Sequence, residues 1–396
     1  MRIFLSCMQS PNRYPIAAYD FWETYFKRGL EEAGHHWVES EVTDWAEALT
    51  MTGEAARSAW RDRTWSQVLR AVRTQTDRGG VDVFLAYLYP HMIERAAIAE
   101  IQRLGIPCIN FFCDNVREFR AMPESFGCFD LNWVPEFEAV AFYEKAGAKH
   151  VFAPYPCWIP PEMRIGGHPE TDGVTFVGSR DPLRAHLLGS AIKGGAPISI
   201  AGAGWLGEKK PGYAPESDRH KGPLRLLRNQ REFIRQHGLG GWLRKFESRV
   251  RRLPDVPIPK NRLRGVVSAE EYVRLMQQSR ISLGVSRLET FQRPLRRPLN
   301  SPRLRDLEAP MMGACYLTEW TETLSHFYDV GRHVEAYRST DELIGKIDSL
   351  LADPQRRQLL RSQGQEHALS ELSVPSSLRK VFGALGLRSP RVAAAV

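Results

Sequence analysis

Residues 174–188 read VTFVGSRDPLRAHLL, and the fold is decided there. Residues 174–177 are a run of β-branched and aromatic side chains as long as a buried strand. Gly178 and Ser179 make a turn, and Asp181-Pro182 starts a helix with Arg184 one turn in. A strand passing through a glycine turn into a helix is the opening unit of a parallel sheet. Open backbone N–H groups, the Ser179 hydroxyl and the guanidinium groups of Arg180 and Arg184 suit an anion at that turn. Taken alone, it reads better as a plain strand-to-helix turn capped by Ser179 or Asp181.

The alternation continues outward from this unit. On the C-terminal side come strand candidates at 198–201, 281–285, 314–317 and 334–337, with helices at 182–192, 269–279, 304–312 and 321–328. Helices at 341–351, 354–369 and 375–385 close the chain, and 388–396 reads as a frayed tail. On the N-terminal side, 154–172 is rich in Pro and Gly, lacks either period and reads as a linker. Before it lie strand candidates at 2–6, 81–85, 108–112, 131–134 and 150–153, with helices near 17–33, 93–104 and 136–146. Strands alternating with helices imply two doubly wound α/β halves. The expected division is a first domain over 1–155, a linker over 156–172, a second domain over 173–370, and a helix and tail over 371–396.

Length and composition agree with this. The chain has 396 residues, of which 43% are hydrophobic and 25% charged, so two domains can each bury a core and wholesale disorder is excluded. The opening MRIFLSCMQS has no cleavage pattern, and no run approaches the ~18 apolar residues of a membrane span. Six cysteines (Cys7, Cys108, Cys113, Cys128, Cys157, Cys315) form no Cys-x-x-Cys, which predicts free thiols in a reducing cytoplasm and no zinc site. The net charge of +8 is concentrated: residues 206–264 hold 16 Lys and Arg against 6 Asp and Glu, a net +10, leaving about −2 elsewhere. Within that insertion Trp242, Phe246, Val250 and Leu253 recur at helical spacing among Arg244, Lys245, Arg249, Arg251 and Arg252. Such a helix can lie on anionic lipid or close over an acidic acceptor, or its apolar stripe can pack on its own domain.

Two further motifs carry chemistry. Residues 202–207, GAGWLG, fit G-x-G-x-x-G but run into EKKPG rather than a helix, so a dinucleotide site is disfavoured and Gly202 and Gly204 are read as letting backbone approach a ligand. In Arg305-Asp306-Leu307-Glu308 the cation and the second carboxylate lie three apart on one helix face. They suit a phosphate and a pair of ribose hydroxyls, unless they form a plain surface ion pair. No Asp-x-Asp occurs in the sequence, so a carboxylate clamp for a metal on a diphosphate is missing and cations must stabilise the leaving group. In the first half, His91 and Asp114 fall at strand C-terminal ends, where ligands of open α/β sheets collect. Each could equally be a helix cap. His91 has the more suitable ordinary pKa for a base, and Glu136 and Glu138 are weaker candidates.

The stretches 174–188, 198–205 (ISIAGAGW), 268–285 (SAEEYVRLMQQSRISLGV), 303–320 (RLRDLEAPMMGACYLTEW), 327–343 and 350–367 succeed one another in a familiar order. Over about residues 172–370 the chain resembles the group 1 glycosyltransferases, most closely the branch of the spore maturation protein (CgeB) family. The first half matches loosely, through INFFCDN at 109–115 and residues 129–156. The resemblance implies a GT-B fold: two Rossmann-like doubly wound domains facing across a cleft, with C-terminal helices. It implies a nucleotide-sugar held mainly by the second domain, with Arg305 on the diphosphate, Glu308 on the ribose hydroxyls, and Gly178 and Arg184 beside the cleft. Ser179, Arg180, Gly202 and Gly204 complete the expected donor site, and His91 or Asp114 would serve catalysis. The expected reaction is sugar transfer to a glycan, lipid-linked or protein acceptor for a cell-surface or spore-coat glycan, without cofactor or metal. The expected location is the cytoplasm, with peripheral contact to the membrane's inner face through 206–264. An epimerase of the same fold is the alternative, as is a nucleic-acid-binding protein using the basic insertion. The insertion is a departure from the family, which runs straight on to the next strand.

Overall fold

The computed structural model describes residues 1–387 other than 13, 15, 16, 52, 208–229, 231–233, 235–237, 244, 245, 247–252, 255 and 289–297, and only the backbone of 17–20. The chain divides into two compact units, Met1–Ile159 with Leu369–Val396, and Pro160–Ala368.

The first unit is built on a six-stranded sheet of β1 (Arg2–Ser6), β2 (His36–Val38), β3 (Val83–Ala86), β4 (Cys108–Phe111), β5 (Leu131–Val134) and β6 (His150–Phe152). Its order is β2-β1-β3-β4-β5-β6, and every pairing is parallel. The three central strands after β1 are buried at all four positions, which is why they are mostly apolar, with Asn110 and Asn132 buried within β4 and β5. Aromatic side chains fill one side of the sheet: Phe26 lies 5.6 Å from Phe111, and Phe111 lies 5.1 Å from Trp133. The last helix, Val374–Gly383, returns to this unit and packs on Ala17–Glu32, so closely that a Cβ on Gly29 would lie 2.4 Å from Val374.

The second unit carries β7 (Asp172–Val177), β8 (Ile198–Ala201), β9 (Ser279–Leu283), β12 (Tyr316–Glu319) and β13 (Glu335–Tyr337), all parallel, in the order β13-β12-β9-β7-β8. A two-residue antiparallel ribbon, β10 (Arg287–Leu288) with β11 (Leu299–Asn300), follows β9. Asp181 caps helix Pro182–Lys193 by accepting from the Arg184 N–H, and Ser268 caps Ala269–Gln278 through the Glu271 N–H. The crossover helices bury Leu187, Leu188, Leu343 and Ile347 against Phe176, Ile198, Ile281 and Leu317 of the sheet. Helix Pro354–Glu371 is held from within by Arg361, which donates to the carbonyl oxygens of Gln277 and Gly313.

Most expected elements fall within about two residues of their places. Among the elements not expected are β2, too short to show a period, the 26-residue helix Glu54–Gly79, the short helix Asn115–Glu118 and the β10–β11 ribbon. The amphipathic helix expected in the basic insertion rests largely on residues outside those described. Of its apolar positions, Trp242 is half-buried with Nε1 donating to Gln230 at 2.8 Å, whereas Phe246 is 58% exposed. Residues 388–396, expected as a tail, also lie outside the described residues.

Candidate functional site: a cation and carboxylate cluster at the end of β7

In the second unit the carboxyl ends of β7 and β8 are zipped together. The Gly178 N–H donates to the Ala201 carbonyl at 2.8 Å, the Arg180 N–H to Ala203 at 2.9 Å, and Trp205 Nε1 to the Gly178 carbonyl at 2.7 Å. Gly202 has φ of 131°, and a Cβ there would stand 2.3 Å from the Gly178 oxygen. The close approach that Gly202 permits is therefore to the backbone of Gly178. Gly204, with φ of 83°, keeps the same loop in a conformation that favours glycine.

Arg184 folds back over this turn. Its Nη1 donates to the Ser179 carbonyl at 3.0 Å, and its Nε lies 3.2 Å from Asp181, which offsets part of its charge. Burial lowers its pKa; Asp181 opposes that effect and the charge of Arg305 adds to it. Arg305 approaches from helix Arg305–Met311, where its Nη1 donates to the Val177 carbonyl; a Cβ on Gly178 would lie 3.5 Å from that same nitrogen. Burial works against the Arg305 charge, but Tyr272, Tyr316 and Glu308 more than compensate and hold its pKa above the ordinary value. Two guanidinium groups thus gather around the Gly178 turn.

Glu308 lies one turn further along the helix. Tyr272, from helix Ala269–Gln278, donates its hydroxyl proton to Glu308 Oε2 at 3.0 Å and accepts from Arg305 Nε at 3.4 Å. Asp306, between them in sequence, faces inward. Its carboxylate accepts from Tyr316 at 2.8 Å, Thr318 at 3.0 Å and the Arg303 N–H at 2.7 Å, while Tyr328 donates to its carbonyl. The buried acid anchors the helix start and so fixes the face that carries Arg305 and Glu308. At the end of β12, Glu319 is 2% exposed, accepts the N–H groups of Ser286 and Arg287, and pairs with the Arg287 guanidinium. It thereby fixes the start of the β10 ribbon.

The structure thus joins Gly178, Ser179, Arg180, Arg184, Gly202, Arg305 and Glu308 around one turn. Tyr272, the Asp306 network and the Arg287–Glu319 pair were not foreseen. Their side-chain partners lie 10 to 36 residues away, and no local spacing marks them.

The first unit places His91 and Asp114 after β3 and β4. His91 lies in a tight turn, Pro90–Met92, and its carbonyl accepts from Arg61 at 3.0 Å. Burial, reinforced by Arg57 and Arg61, pulls its pKa down to about 4. The ground for preferring it as a base, an ordinary imidazole pKa, is thus corrected: the ring is neutral and weakly basic at pH 7. Asp114 stands at the start of the short helix Asn115–Glu118, 3.7 Å from Arg117. Next to it, Glu136 is buried and accepts the Asn115 N–H at 2.6 Å; burial, then the charge of Asp114, pushes its pKa up to about 8. Glu138 lies in the first turn of helix Phe137–Lys145.

All six cysteines are free, and five are buried. Among the described residues no cluster of three or more His, Cys, Asp or Glu side chains could hold a metal ion, and no helix is long and apolar enough to cross a membrane.

Solved structures resemble the chain over almost its whole length. Sucrose-phosphate synthase from Thermosynechococcus elongatus aligns with a TM-score of 0.57 at 11% identity, over 97% of this chain and 98% of that one. HepE from Anabaena, in complex with UDP and glucose, aligns at 0.52 and 12% identity over 98% and 99%. A glycosyltransferase from Rickettsia africae aligns at 0.52 and 10% identity over 97% and 98%. At such identities the likeness establishes the fold, which is GT-B. No curated protein matches in sequence. Residues 184–381, or 198 of the 396, match the glycosyl transferase-like family, and the stretch includes the Arg305–Glu308 helix and the strands around it; the chain belongs to that family.

Proposed function

We propose that the protein transfers a sugar from a nucleotide-sugar to an acceptor, with the donor nucleotide held by the second unit. The observation that carries this is the convergence of Arg184 and Arg305 on the Gly178 turn, with Glu308 one turn along the same helix. Two guanidinium groups held close together favour an anion between them, and their fork geometry suits diphosphate oxygens. A carboxylate beside them accepts from vicinal hydroxyls, the roles the sequence resemblance implies for Arg305 and Glu308. HepE, similar in fold, was solved with UDP and with UDP-glucose, which supports a nucleoside diphosphate sugar as donor.

As the diphosphate leaves, charge grows on its oxygens, and Arg305 and Arg184 are already placed to stabilise it without reorganising. The sequence lacks an Asp-x-Asp clamp, so we assign this stabilisation to the cations and read transfer as independent of divalent metal. Retention at the anomeric carbon is carried over from the resemblance. The first unit would bind the acceptor, with Asp114 and His91 at its strand ends. Burial keeps His91 neutral and raises Glu136 to about 8, so Glu136, beside Asp114, can exchange a proton near pH 7. The product would be a cell-surface or spore-coat glycan, as in the spore maturation branch. The +10 charge of 206–264 would hold the enzyme against anionic lipid on the cytoplasmic side.

A thermal-shift screen against UDP-, GDP-, dTDP- and ADP-glucose tests the donor reading, because a ligand bound only by the native state raises the melting temperature. At least one should raise it, and no response to any would contradict the reading.

A further inference from the structure

Helix Ala269–Gln278 contributes Tyr272 to the cluster at the end of β7. Its hydroxyl lies between the two groups of the neighbouring helix, 3.4 Å from Arg305 Nε and 3.0 Å from Glu308 Oε2. The direction of the chain is fixed by chemistry. A guanidinium only donates, a carboxylate only accepts, and a phenol has one proton, so Arg305 donates to Tyr272 and Tyr272 to Glu308. Each bond involves an ion, and the one to Glu308 is the shorter. The phenol remains a donor throughout the working range, since burial and then the charge of Glu308 push its pKa up.

The ring is held as firmly as the hydroxyl. The Arg305 guanidinium lies 5.5 Å from its centroid, within cation–π range, and the Tyr272 N–H donates to the Ser268 carbonyl at 2.9 Å in the capped first turn of its helix. Arg305 is fixed at its far side by the Val177 carbonyl. The phenol oxygen therefore ties Ala269–Gln278 to Arg305–Met311, and Arg305 ties both to the end of β7. If Glu308 rotates away, it loses the Tyr272 bond and Arg305 loses part of its support.

We propose that Tyr272 is a positioning residue that couples Glu308 to Arg305, so that the ribose and diphosphate contacts of the donor form as a unit. This rests on the reading that Arg305 meets the diphosphate and Glu308 the ribose.

The test is a double-mutant cycle. Wild type, Tyr272→Phe, Glu308→Ala and the double variant are titrated calorimetrically with UDP, GDP and ADP and their 2′-deoxy forms, and melting curves are recorded for each. Tyr272→Phe should weaken the preferred diphosphate about 5- to 10-fold with little change in melting temperature. The double variant should be no weaker than Glu308→Ala within about twofold, since the hydroxyl acts through Glu308. The preference for the ribo over the 2′-deoxy form should shrink in Tyr272→Phe toward that of Glu308→Ala. A mere packing defect lowers both forms equally and keeps the ratio, so an unchanged ratio overturns the proposal even if the variant is less stable. Wild-type affinity in Tyr272→Phe beside weakened Glu308→Ala, or fully additive losses, also overturns it and leaves the donor site standing. Wild-type affinity in Glu308→Ala, or no diphosphate bound by wild type, removes the donor reading itself.

Discussion

Gly202 lies so close to Gly178 that a Cβ on it would stand 2.3 Å from the Gly178 carbonyl oxygen, with its own φ at 131°. Neither the space nor the backbone conformation admits a side chain. Gly202→Ala should therefore cost about 2 kcal/mol or more, combining backbone strain with overpacking against main chain that cannot yield. Because the same contact positions the turn under Arg184 and Arg305, nucleotide affinity should fall with stability. Denaturant melts and calorimetry on one preparation check both, and a variant as stable as wild type would contradict the packing described.

The same pair shows what the sequence could and could not convey. Gly-x-Gly after a strand is visible locally, and its failure to open a helix was enough to set aside a dinucleotide site. That the glycine faces another strand's turn is a relationship between residues 24 apart and has no local signal. Strands such as β1, β5 and β8 were legible because burial on both faces makes them short and mostly apolar. The helix Glu54–Gly79 was not, because its buried Trp60, Trp65, Val68 and Val72 stand among many charged residues. Arg305 and Glu308 were legible through their spacing of three. Tyr272, which joins them, comes from another helix and is seen only once the chain is folded.

Glu136 makes a pH prediction. Its folded pKa of about 8 lies above the ordinary carboxyl value of 4.5, with burial as the main cause and Asp114 next. The folded state therefore binds more protons than the unfolded one in this interval. This contribution to stability is fully present below pH 4.5 and is lost as the pH rises through about 8. Glu136→Gln, uncharged throughout, should lose less stability than wild type between pH 5 and 8.5. Urea melts across that range check it, and parallel pH profiles for the two proteins would contradict the assignment.

If Arg184 and Arg305 take the leaving diphosphate, as proposed, transfer should survive excess chelator in a chain without an Asp-x-Asp clamp. An assay of nucleoside diphosphate release, with EDTA and then with added magnesium or manganese, checks this. Activity lost with chelator and restored by metal would contradict it.

The basic insertion should make the protein sediment with vesicles containing phosphatidylserine and not with neutral ones. Leu239, Leu243 and Phe246 are 62%, 53% and 58% exposed, and 16 basic residues occur in the segment. The attraction should fade as salt shortens the Debye length from ~10 Å at 0.1 M to ~3 Å at 1 M. Changing Arg244, Lys245, Arg249 and Arg252 to Gln should abolish sedimentation and leave nucleotide affinity unchanged. Equal sedimentation of the variant would show that the charge is not the cause.

The central claim is that the second unit holds a nucleoside diphosphate between Arg305 and Glu308, and titration of folded variants measures it most directly. Wild type, Arg305→Ala and Glu308→Ala are titrated with the diphosphate that raises the melting temperature most, and with its nucleoside. Arg305→Ala should weaken the diphosphate about 10- to 100-fold, the range of a lost charge-assisted contact, while the nucleoside changes little. Glu308→Ala should weaken diphosphate and nucleoside alike, since both carry the ribose. Wild-type affinity for the diphosphate in both folded variants would contradict the account.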